Sequence, residues 1–275
     1  MPFLTLHGIS LEVQHIAGAS TLAPIVFLHE GLGSVAMWRD FPAQVCAATG
    51  RAGLVYSRRG YGQSDAVPDV RAPSHLRGGQ RAGRLLPDYM HHEAWEVLPA
   101  LLAVCGIERP VLLGHSDGAS IALLYASRHP TSACIAMAPH LFVEDISLRS
   151  IAAARVAYKT TDLRSKLTRF HADVDCAFWQ WNDVWLSEAF ASFNMVDDCA
   201  RITCPLLAIQ GLDDAYGTLA QIDALAPSNT NRNSLQSNKV MRKQLLKLEQ
   251  CGHSPHKDQV EKVTAAVVEF LRESN

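Results

Sequence analysis

Gly114-His115-Ser116-Asp117-Gly118 is the stretch of sequence that decides the fold of this chain. An apolar run, Val111–Leu113, leads into it, and a run of small and apolar residues, Ser120–Tyr125, follows. This order is typical of a buried strand that turns sharply into a helix, with the serine on the turn. The flanking glycines remove the side chains that would collide in such a turn. We therefore expect an exposed Ser116 hydroxyl beside a helix N-terminus, where unpaired N–H groups favour negative charge.

The composition indicates one large globular domain and offers no sign of nucleic-acid or membrane binding. With 275 residues, 48% hydrophobic and 19% charged, the chain can bury a substantial core and still carry an inserted lobe. A net charge of -2 offers no basic surface for nucleic acid or an anionic membrane. We find no apolar run of membrane-spanning length and no secretory signal pattern. An odd number of cysteines, seven, favours reduced thiols, so we expect a cytoplasmic protein.

Apolar runs with strand character recur along the chain and alternate with helical patterns. Leu11–Ile16 alternates between apolar and polar residues and predicts an antiparallel edge strand. Buried strands are predicted at Pro24–Leu28, Gly53–Ser57, Ala133–Ala138, Pro205–Gln210 and Gln244–Leu248. Helices are predicted around Met37–Thr49, Tyr89–Cys105 and Lys257–Arg272. This alternation predicts an α/β fold with a mostly parallel sheet and right-handed crossovers.

Two segments do not follow this alternation of strands and helices. Residues 139–200 contain helical stretches and an aromatic cluster but no buried-strand pattern, which predicts a helical lid inserted into a core of residues 1–138 and 201–275. The lid tryptophans Trp179, Trp181 and Trp185 are candidates for an apolar substrate pocket above Ser116. The segment Val67–Asp88, rich in proline, glycine and arginine, is expected to be a long mobile loop.

A serine hydroxyl becomes a good nucleophile only when a base removes its proton, and histidine titrates in the right range. The chain has twelve histidines, so the base has to be identified from its position relative to the predicted strands. Functional loops of a parallel sheet cluster at the carboxyl ends of its strands. His253 follows the last predicted strand, in Gly252-His253-Ser254-Pro255. The acid that orients this imidazole is expected after the preceding strand, where either Asp213 or Asp214 could serve.

A metal site is the competing interpretation of the same histidine. His253 and His256 are three residues apart and Asp258 follows them, a spacing that metal sites use. The Ser116 motif already accounts for His253, however, and the chain has no His-Glu-x-x-His pattern. We therefore expect neither a metal nor another cofactor.

The order Ser116, Asp214, His253 is the order found with a nucleophile elbow. Along essentially its whole length the chain resembles the α/β-hydrolase superfamily. The resemblance rests on Leu28–Gly31 before Trp38, Arg59–Ser64, Gly114–Gly118, Gly211–Asp214 and Gly252-His253. It implies the α/β-hydrolase fold, a mostly parallel central sheet flanked by helices with an inserted helical lid. It also favours Asp214 over Asp213, because the acid of the family is usually the third residue after the glycine.

The resemblance further implies an oxyanion hole of two backbone N–H groups. One belongs to the residue after the nucleophile, Asp117, to which only this backbone role is assigned. The other comes from the first glycine loop, where the family usually has His-Gly but this chain has His29-Glu30-Gly31-Leu32. Gly31 and Leu32 are both candidates for this second donor. The unusual Glu30 is a candidate for the substrate pocket, whereas His29 is expected to shape the loop.

The overall pattern is similar to small bacterial enol-lactonases, esterases and carbon–carbon bond hydrolases. It implies a cofactor-free serine hydrolase that cleaves a small carboxylic ester or lactone through an acyl-enzyme on Ser116. Serine rather than aspartate at this position argues against haloalkane dehalogenase and epoxide hydrolase chemistry. The alternatives are carbon–carbon bond hydrolysis in aromatic catabolism and a hydrolase-like sensor that turns over slowly. Cofactor-independent oxygenase or lyase chemistry on the same scaffold is a further alternative.

Overall fold

One sheet organises the described part of the chain. The structure, a computed structural model, describes residues 2–68, 70–71, 84–226 and 242–273. Within these residues eight strands lie in the order β1-β2-β4-β3-β5-β6-β7-β8. The strands are β1 (Phe3–Leu6), β2 (Ile9–Ile16), β3 (Ile25–Leu28), β4 (Gly53–Tyr56), β5 (Val111–His115), β6 (Ala133–Met137), β7 (Leu206–Gly211) and β8 (Lys243–Leu248).

The sheet is parallel from β4 to β8 and antiparallel at one end. β2 pairs antiparallel with β4 and also with β1, so β1 is the edge strand. The antiparallel direction predicted for Leu11–Ile16 is confirmed, but its predicted edge position is wrong. The outer strand, Phe3–Leu6, has only four residues and is largely exposed, so its sequence carries too short a pattern to reveal it.

Helices cover both faces of the sheet. They are α1 (Phe41–Thr49), α2 (Tyr89–His92), α3 (Leu98–Val104), α4 (Asp117–Ala126), α5 (Asp145–Thr160), α6 (Leu163–Leu167), α7 (Val174–Trp185), α8 (Val196–Cys199), α9 (Ala220–Asp223), α10 (Pro255–Asp258) and α11 (Val260–Glu273). α1 and α11 pack on one face, and α3 and α4 on the other. Every residue of β3 to β7 is buried, as expected of parallel strands covered on both sides.

The helices differ from the predicted ones where the backbone changes its winding. The predicted helix Tyr89–Cys105 contains a π-helical turn at Glu93–Val97 between α2 and α3. The predicted helix Met37–Thr49 begins as a 3₁₀ turn, Val35–Trp38, before α1. Hydrophobic periodicity reports which face is buried, but it does not report a one-residue change in hydrogen-bond spacing.

Of the two segments that depart from the alternating pattern, the structure describes the first as helices and covers only part of the second. Between β6 and β7, residues 139–200 form α5 to α8 and a 3₁₀ turn at Glu188–Phe190. Most of the segment Val67–Asp88 lies outside the described residues. Within it, Arg71 forms an ion pair with Asp183 of α7. Among the described residues, no helix combines the length and apolar character needed to cross a bilayer.

Candidate active site

Three residues from three strand ends meet at the carboxyl edge of the sheet. Ser116 follows β5, Asp214 follows β7, and His253 follows β8. The Oγ atom of Ser116 lies 2.9 Å from Nε2 of His253. On the other side of the ring, Nδ1 of His253 lies 2.9 Å from both carboxylate oxygens of Asp214. The structure thus brings together an alcohol, an imidazole and a carboxylate in hydrogen-bonded sequence, and these are the residues predicted as the catalytic set.

Ser116 is a single-residue turn between β5 and α4. Its backbone has φ 54° and ψ -122°, a conformation that costs a non-glycine residue about 1–3 kcal/mol. The strand and the helix approach so closely that a Cβ on Gly114 would overlap the backbone of Gly118. A Cβ on Gly118 would overlap the carbonyl of Leu28 in the neighbouring strand β3. The two glycines of the motif are therefore required by packing.

Asp214 is held by donors other than the histidine. Nε2 of Gln210 donates to its Oδ2 at 2.6 Å, and the N–H of Tyr216 donates to its Oδ1 at 2.7 Å. Burial raises the pKa of this carboxyl, but the hydrogen bond and charge of His253 and the Tyr216 N–H together bring it below its usual value. Asp213, the alternative acid, is exposed, and its N–H donates to the carbonyl of Cys251. Of the two carboxylates, only that of Asp214 contacts His253.

The backbone of His253 is anchored on both sides. Nε2 of His115 donates to the carbonyl of His253 at 2.6 Å. The N–H of Gly252 donates to Oδ2 of Asp258 at 2.9 Å, so this carboxylate caps the loop. His256 packs against Trp38, with ring centroids 4.9 Å apart. Sequence reasoning missed the role of His115, although the residue lies inside the Gly-x-Ser-x-Gly motif.

The first glycine loop is held through its carbonyl groups. The carbonyl of Glu30 accepts from Nδ1 of His29 at 2.7 Å, from Nη2 of Arg58 at 3.0 Å and from the N–H of Gly33 at 3.0 Å. In a trans peptide the next N–H points away from that carbonyl, so the N–H of Gly31 faces away from Arg58. Neither this N–H nor that of Leu32 donates a backbone hydrogen bond within the described part of the chain. Both remain available as donors to a ligand.

Residues 139–200 contact this loop at two points. Nε2 of His171 donates to the carbonyl of Leu32 at 3.1 Å, while its Nδ1 accepts from the N–H of Gly62 at 3.0 Å. The indole of Trp181 lies so close to Gly31 that a Cβ at that position would overlap it. Helix α7 is thus packed directly onto the candidate oxyanion loop.

The three predicted pocket tryptophans occupy different places. Trp181 lies on Gly31, as described above. Trp185 is buried and packs edge-on against His140, with ring centroids 4.9 Å apart. Trp179 belongs to a different cluster, in which the guanidinium of Arg71 lies 3.9 Å from its ring centroid. The structure therefore places two of the three beside the candidate site.

Glu30 directs its carboxylate toward the scaffold around the histidine. Its Oε2 lies 3.4 Å from Nδ1 of His115, and its Oε1 lies 3.5 Å from Nζ of Lys257. Burial raises the pKa of Glu30, but the neighbouring imidazole of His115 and the charge of Lys257 hold it well below the usual value. The side chain predicted for the substrate pocket thus faces His115 and Lys257.

Asp117 has a side-chain contact in addition to the predicted backbone role. As the first residue of α4, its N–H has no partner inside the helix. Its Oδ2 accepts a 2.5 Å hydrogen bond from the hydroxyl of Tyr89, which in turn accepts from Nε1 of Trp185 at 3.0 Å. Burial raises the pKa of the Asp117 carboxyl, although the charge of Arg58 opposes this. The side chain is thus part of a buried network beneath the nucleophile.

A second buried histidine flanks His253 and was missed by sequence reasoning. The ring centroid of His140 lies 5.6 Å from that of His253. Burial lowers the pKa of His140 to about 3, so its ring is neutral. The hydroxyl of Ser120 donates to the carbonyl of His140 at 2.8 Å and accepts from its N–H at 2.9 Å. Its place just after β6, at the same edge as the other strand ends, is the signal that would have identified it.

Comparisons with known proteins identify the family and the fold. The profile described as Alpha/beta hydrolase family matches residues 25–267. No curated protein sequence matches significantly. A carboxylesterase of Nitrososphaera gargenis is similar in structure, with a TM-score of 0.70 at 17% identity, and the match covers 99% of this chain and 98% of that one.

Two further solved structures are similar over their full length. The enol-lactonase of Burkholderia xenovorans LB400 has a TM-score of 0.69 at 19% identity, covering 98% of this chain and 100% of that one. A meta-cleavage product hydrolase of Pseudomonas fluorescens IP01 has a TM-score of 0.63 at 15% identity, covering 100% and 98%. At these identities the likeness shows a common fold.

Proposed function

The chain belongs to the alpha/beta hydrolase family, and from this premise we propose that it is a serine hydrolase cleaving a small carboxylic ester or lactone through an acyl-enzyme on Ser116. The observation that carries the proposal is the chain of contacts from the Ser116 hydroxyl through His253 to Asp214. An imidazole oriented by a carboxylate is a competent base for a serine hydroxyl. No metal or other cofactor takes part in the proposed reaction.

In the acylation step, Nε2 of His253 takes the proton of the Ser116 hydroxyl as Oγ attacks the substrate carbonyl. The carbonyl oxygen becomes an oxyanion, which accepts hydrogen bonds from the N–H of Asp117 and from that of Gly31 or Leu32. The imidazolium then gives its proton to the leaving alkoxide as the carbon–oxygen bond breaks. The products of this step are an alcohol, or the ring-opened alcohol of a lactone, and an ester on Ser116.

In the deacylation step, water replaces the alcohol. His253 removes a proton from the water, the hydroxide attacks the acyl carbonyl, and the carboxylic acid leaves as Ser116 regains its proton. Asp214 keeps Nδ1 of the ring protonated throughout and stabilises the imidazolium. The lowered pKa of Asp214 supports this role, because the carboxyl is then ionised at neutral pH.

We assign α5 to α8, in residues 139–200, the role of a lid. Its contacts with the glycine loop, through His171 and Trp181, would exclude water from the acyl group. Trp181 and Trp185 would line the apolar side of the substrate. The substrate is therefore a small ester or lactone with an apolar or aromatic part.

A substrate screen tests the proposal. Aryl and alkyl esters and lactones of graded size are assayed with the natural chain and with Ser116→Ala and His253→Ala. Ser127→Ala, a serine just past α4 whose hydroxyl donates to the carbonyl of Leu124, is the matched control. We expect turnover that both site variants abolish and the control retains. Full turnover of a reactive aryl ester by both site variants would overturn the mechanism.

The same screen separates the alternatives. A vinylogous diketone in the panel tests carbon–carbon bond hydrolysis. Thermal unfolding with each compound tests a sensor, which would be stabilised by a compound that it does not turn over. Turnover of esters or lactones above that of the diketone supports the proposed reaction.

A further inference from the structure

A cavity of about 320 Å³ is lined in part by Tyr89. It is enclosed by β1 and β2, by the end of β4 and by the helical segment that contains the π-helical turn. Its lining contains none of Ser116, Asp214 and His253. The cavity is therefore distinct from the proposed catalytic site, and nothing in the proposed reaction uses it.

Three almost fully buried side chains on its lining have a polar atom without a hydrogen-bond partner among the residues that the structure describes. They are the hydroxyl of Tyr56, Nε of Arg58 and Oε2 of Glu93, in residues that are 1%, 2% and 8% exposed. Nη1 of Arg84 and Nε of Arg59, on the same lining, also have no partner among the described residues. Buried polar groups of native proteins are usually paired, because an unpaired one costs stability. Five such atoms around one cavity point to a bound ligand.

The charges on the lining indicate that the ligand is negatively charged. Within the described part of the chain, three arginines and two glutamates line the cavity. Arg58 donates through its terminal nitrogens to the backbone carbonyls of His29 and Glu30, and no carboxylate of the described residues is hydrogen-bonded to it. Burial raises the pKa of Glu93 to about 7, although the charge of Arg58 opposes this. At and below neutral pH a large share of Glu93 is thus protonated, which increases the positive charge of the cavity.

We propose that this cavity is a second binding site, which takes a small organic carboxylate. The carboxylate oxygens accept hydrogen bonds from Nε of Arg58, from Nη1 of Arg84 and from the hydroxyl of Tyr56, and protonated Glu93 adds a donor. Apolar side chains, Leu6, Leu11 and Val97, receive the hydrocarbon part. The volume is at the small end for ligand pockets, which fits a short aliphatic or single-ring acid.

Tyr89 connects the two sites. It lines the cavity, and its hydroxyl donates to Asp117, whose N–H is the proposed oxyanion donor. A ligand in the cavity would therefore contact a residue that holds Asp117. An effect of the ligand on turnover rests on the proposed function, but binding itself does not.

Calorimetric titration with benzoate and butanoate tests the site, with benzamide and inorganic phosphate as comparison ligands. We expect saturable binding of both acids and none of the comparison ligands. Tyr56→Phe and Arg84→Gln should each weaken binding about ten-fold, the effect of losing one charge-assisted hydrogen bond. Tyr125→Phe, a buried phenol of α4 outside the cavity lining, is the matched control and should bind as the natural chain does.

His253→Ala distinguishes this site from the catalytic one, since an acid bound beside Ser116 would respond to it. We expect unchanged binding by His253→Ala. Loss of binding in that variant, equal binding of phosphate or benzamide, or full binding by Tyr56→Phe and Arg84→Gln would overturn the proposal. Because the titration needs no turnover, it measures binding to the cavity whether or not the chain hydrolyses an ester. Thermal unfolding of each variant confirms that it is folded.

Discussion

The side chain of His115 donates a 2.6 Å hydrogen bond to the backbone carbonyl of His253. The residue before the proposed nucleophile therefore holds the backbone of the proposed base. On its other nitrogen His115 faces the carboxylate of Glu30 at 3.4 Å. A positional error in the base of about 1 Å is enough to cost about 100-fold in rate. This contact is thus the first one to test beyond the catalytic residues themselves.

His115→Ala should lower kcat by about 10- to 100-fold with little change in KM, because the ring of His253 loses its support while the substrate pocket keeps its residues. Steady-state kinetics on the best ester of the screen measure both constants. His129→Ala, a histidine that packs on Tyr125 away from the site, is the control. A rise in KM with kcat unchanged would show that His115 acts on binding instead.

The two adjacent aspartates make a matched pair. Asp214→Asn should reduce kcat by about 10³–10⁴-fold, because the amide presents the wrong hydrogen-bonding group to Nδ1 of His253. Asp213→Asn should leave kcat unchanged, since that side chain is exposed. Equal losses in the two variants would contradict the assignment of the acid. Both substitutions conserve volume, so the comparison isolates charge and hydrogen bonding.

Gly31→Ala should reduce kcat by about 10²–10³-fold, the range for losing one oxyanion donor. The new methyl group would overlap the indole of Trp181 and push the loop away from Ser116. In a chain that already carries Trp181→Ala, the indole is absent, so adding Gly31→Ala should reduce kcat by a smaller factor than it does in the natural chain. A double-mutant cycle on kcat provides this comparison. If the two losses simply add, steric conflict with the indole is not the cause.

The raised pKa of Glu93 predicts that the free energy of unfolding depends on pH. Its folded pKa of about 7 lies above its ordinary 4.5, so the fold disfavours the ionised form, and stability falls as pH rises from 4.5 through 7. The difference between the two pKa values corresponds to about 3 kcal/mol, since one pKa unit is 1.36 kcal/mol. Besides Arg58, whose charge opposes the shift, the charged and titratable groups among the described residues of the cavity lining are His7, Tyr56, Arg59, Arg84, Tyr89, His92 and Glu96.

Denaturant unfolding at pH 5 and pH 8 measures this effect. The stability of Glu93→Gln relative to the natural chain should increase between the two pH values, because the glutamine cannot ionise. Glu96→Gln changes an exposed carboxyl on the same segment and should show no such increase. A Glu93→Gln difference that is the same at both pH values would mean that Glu93 titrates normally.

Much of this arrangement could be predicted from the sequence because it depends on local patterns and chain direction. The Gly-x-Ser-x-Gly motif sets the turn at Ser116 through sterics between neighbouring residues. His253 and Asp214 follow from a general property of parallel sheets, whose strand ends meet at one edge. Neither inference needs to know which side chains touch. The short edge strand Phe3–Leu6 and the π-helical turn were not predicted, because each departs from the regular patterns by only a few residues.

The sequence by itself determined the order of the strands along the chain, the sharp turn at the nucleophile and the strand ends that carry the acid and the base. Only the tertiary structure decided which way side chains point. Glu30 faces His115 rather than the substrate side, Asp214 rather than Asp213 reaches the ring, and Trp179 packs on Arg71. The physical reason is that such choices arise from contacts between residues far apart in the chain, as when His115 meets the carbonyl of His253. The local pattern of polar and apolar residues does not predict such long-range contacts.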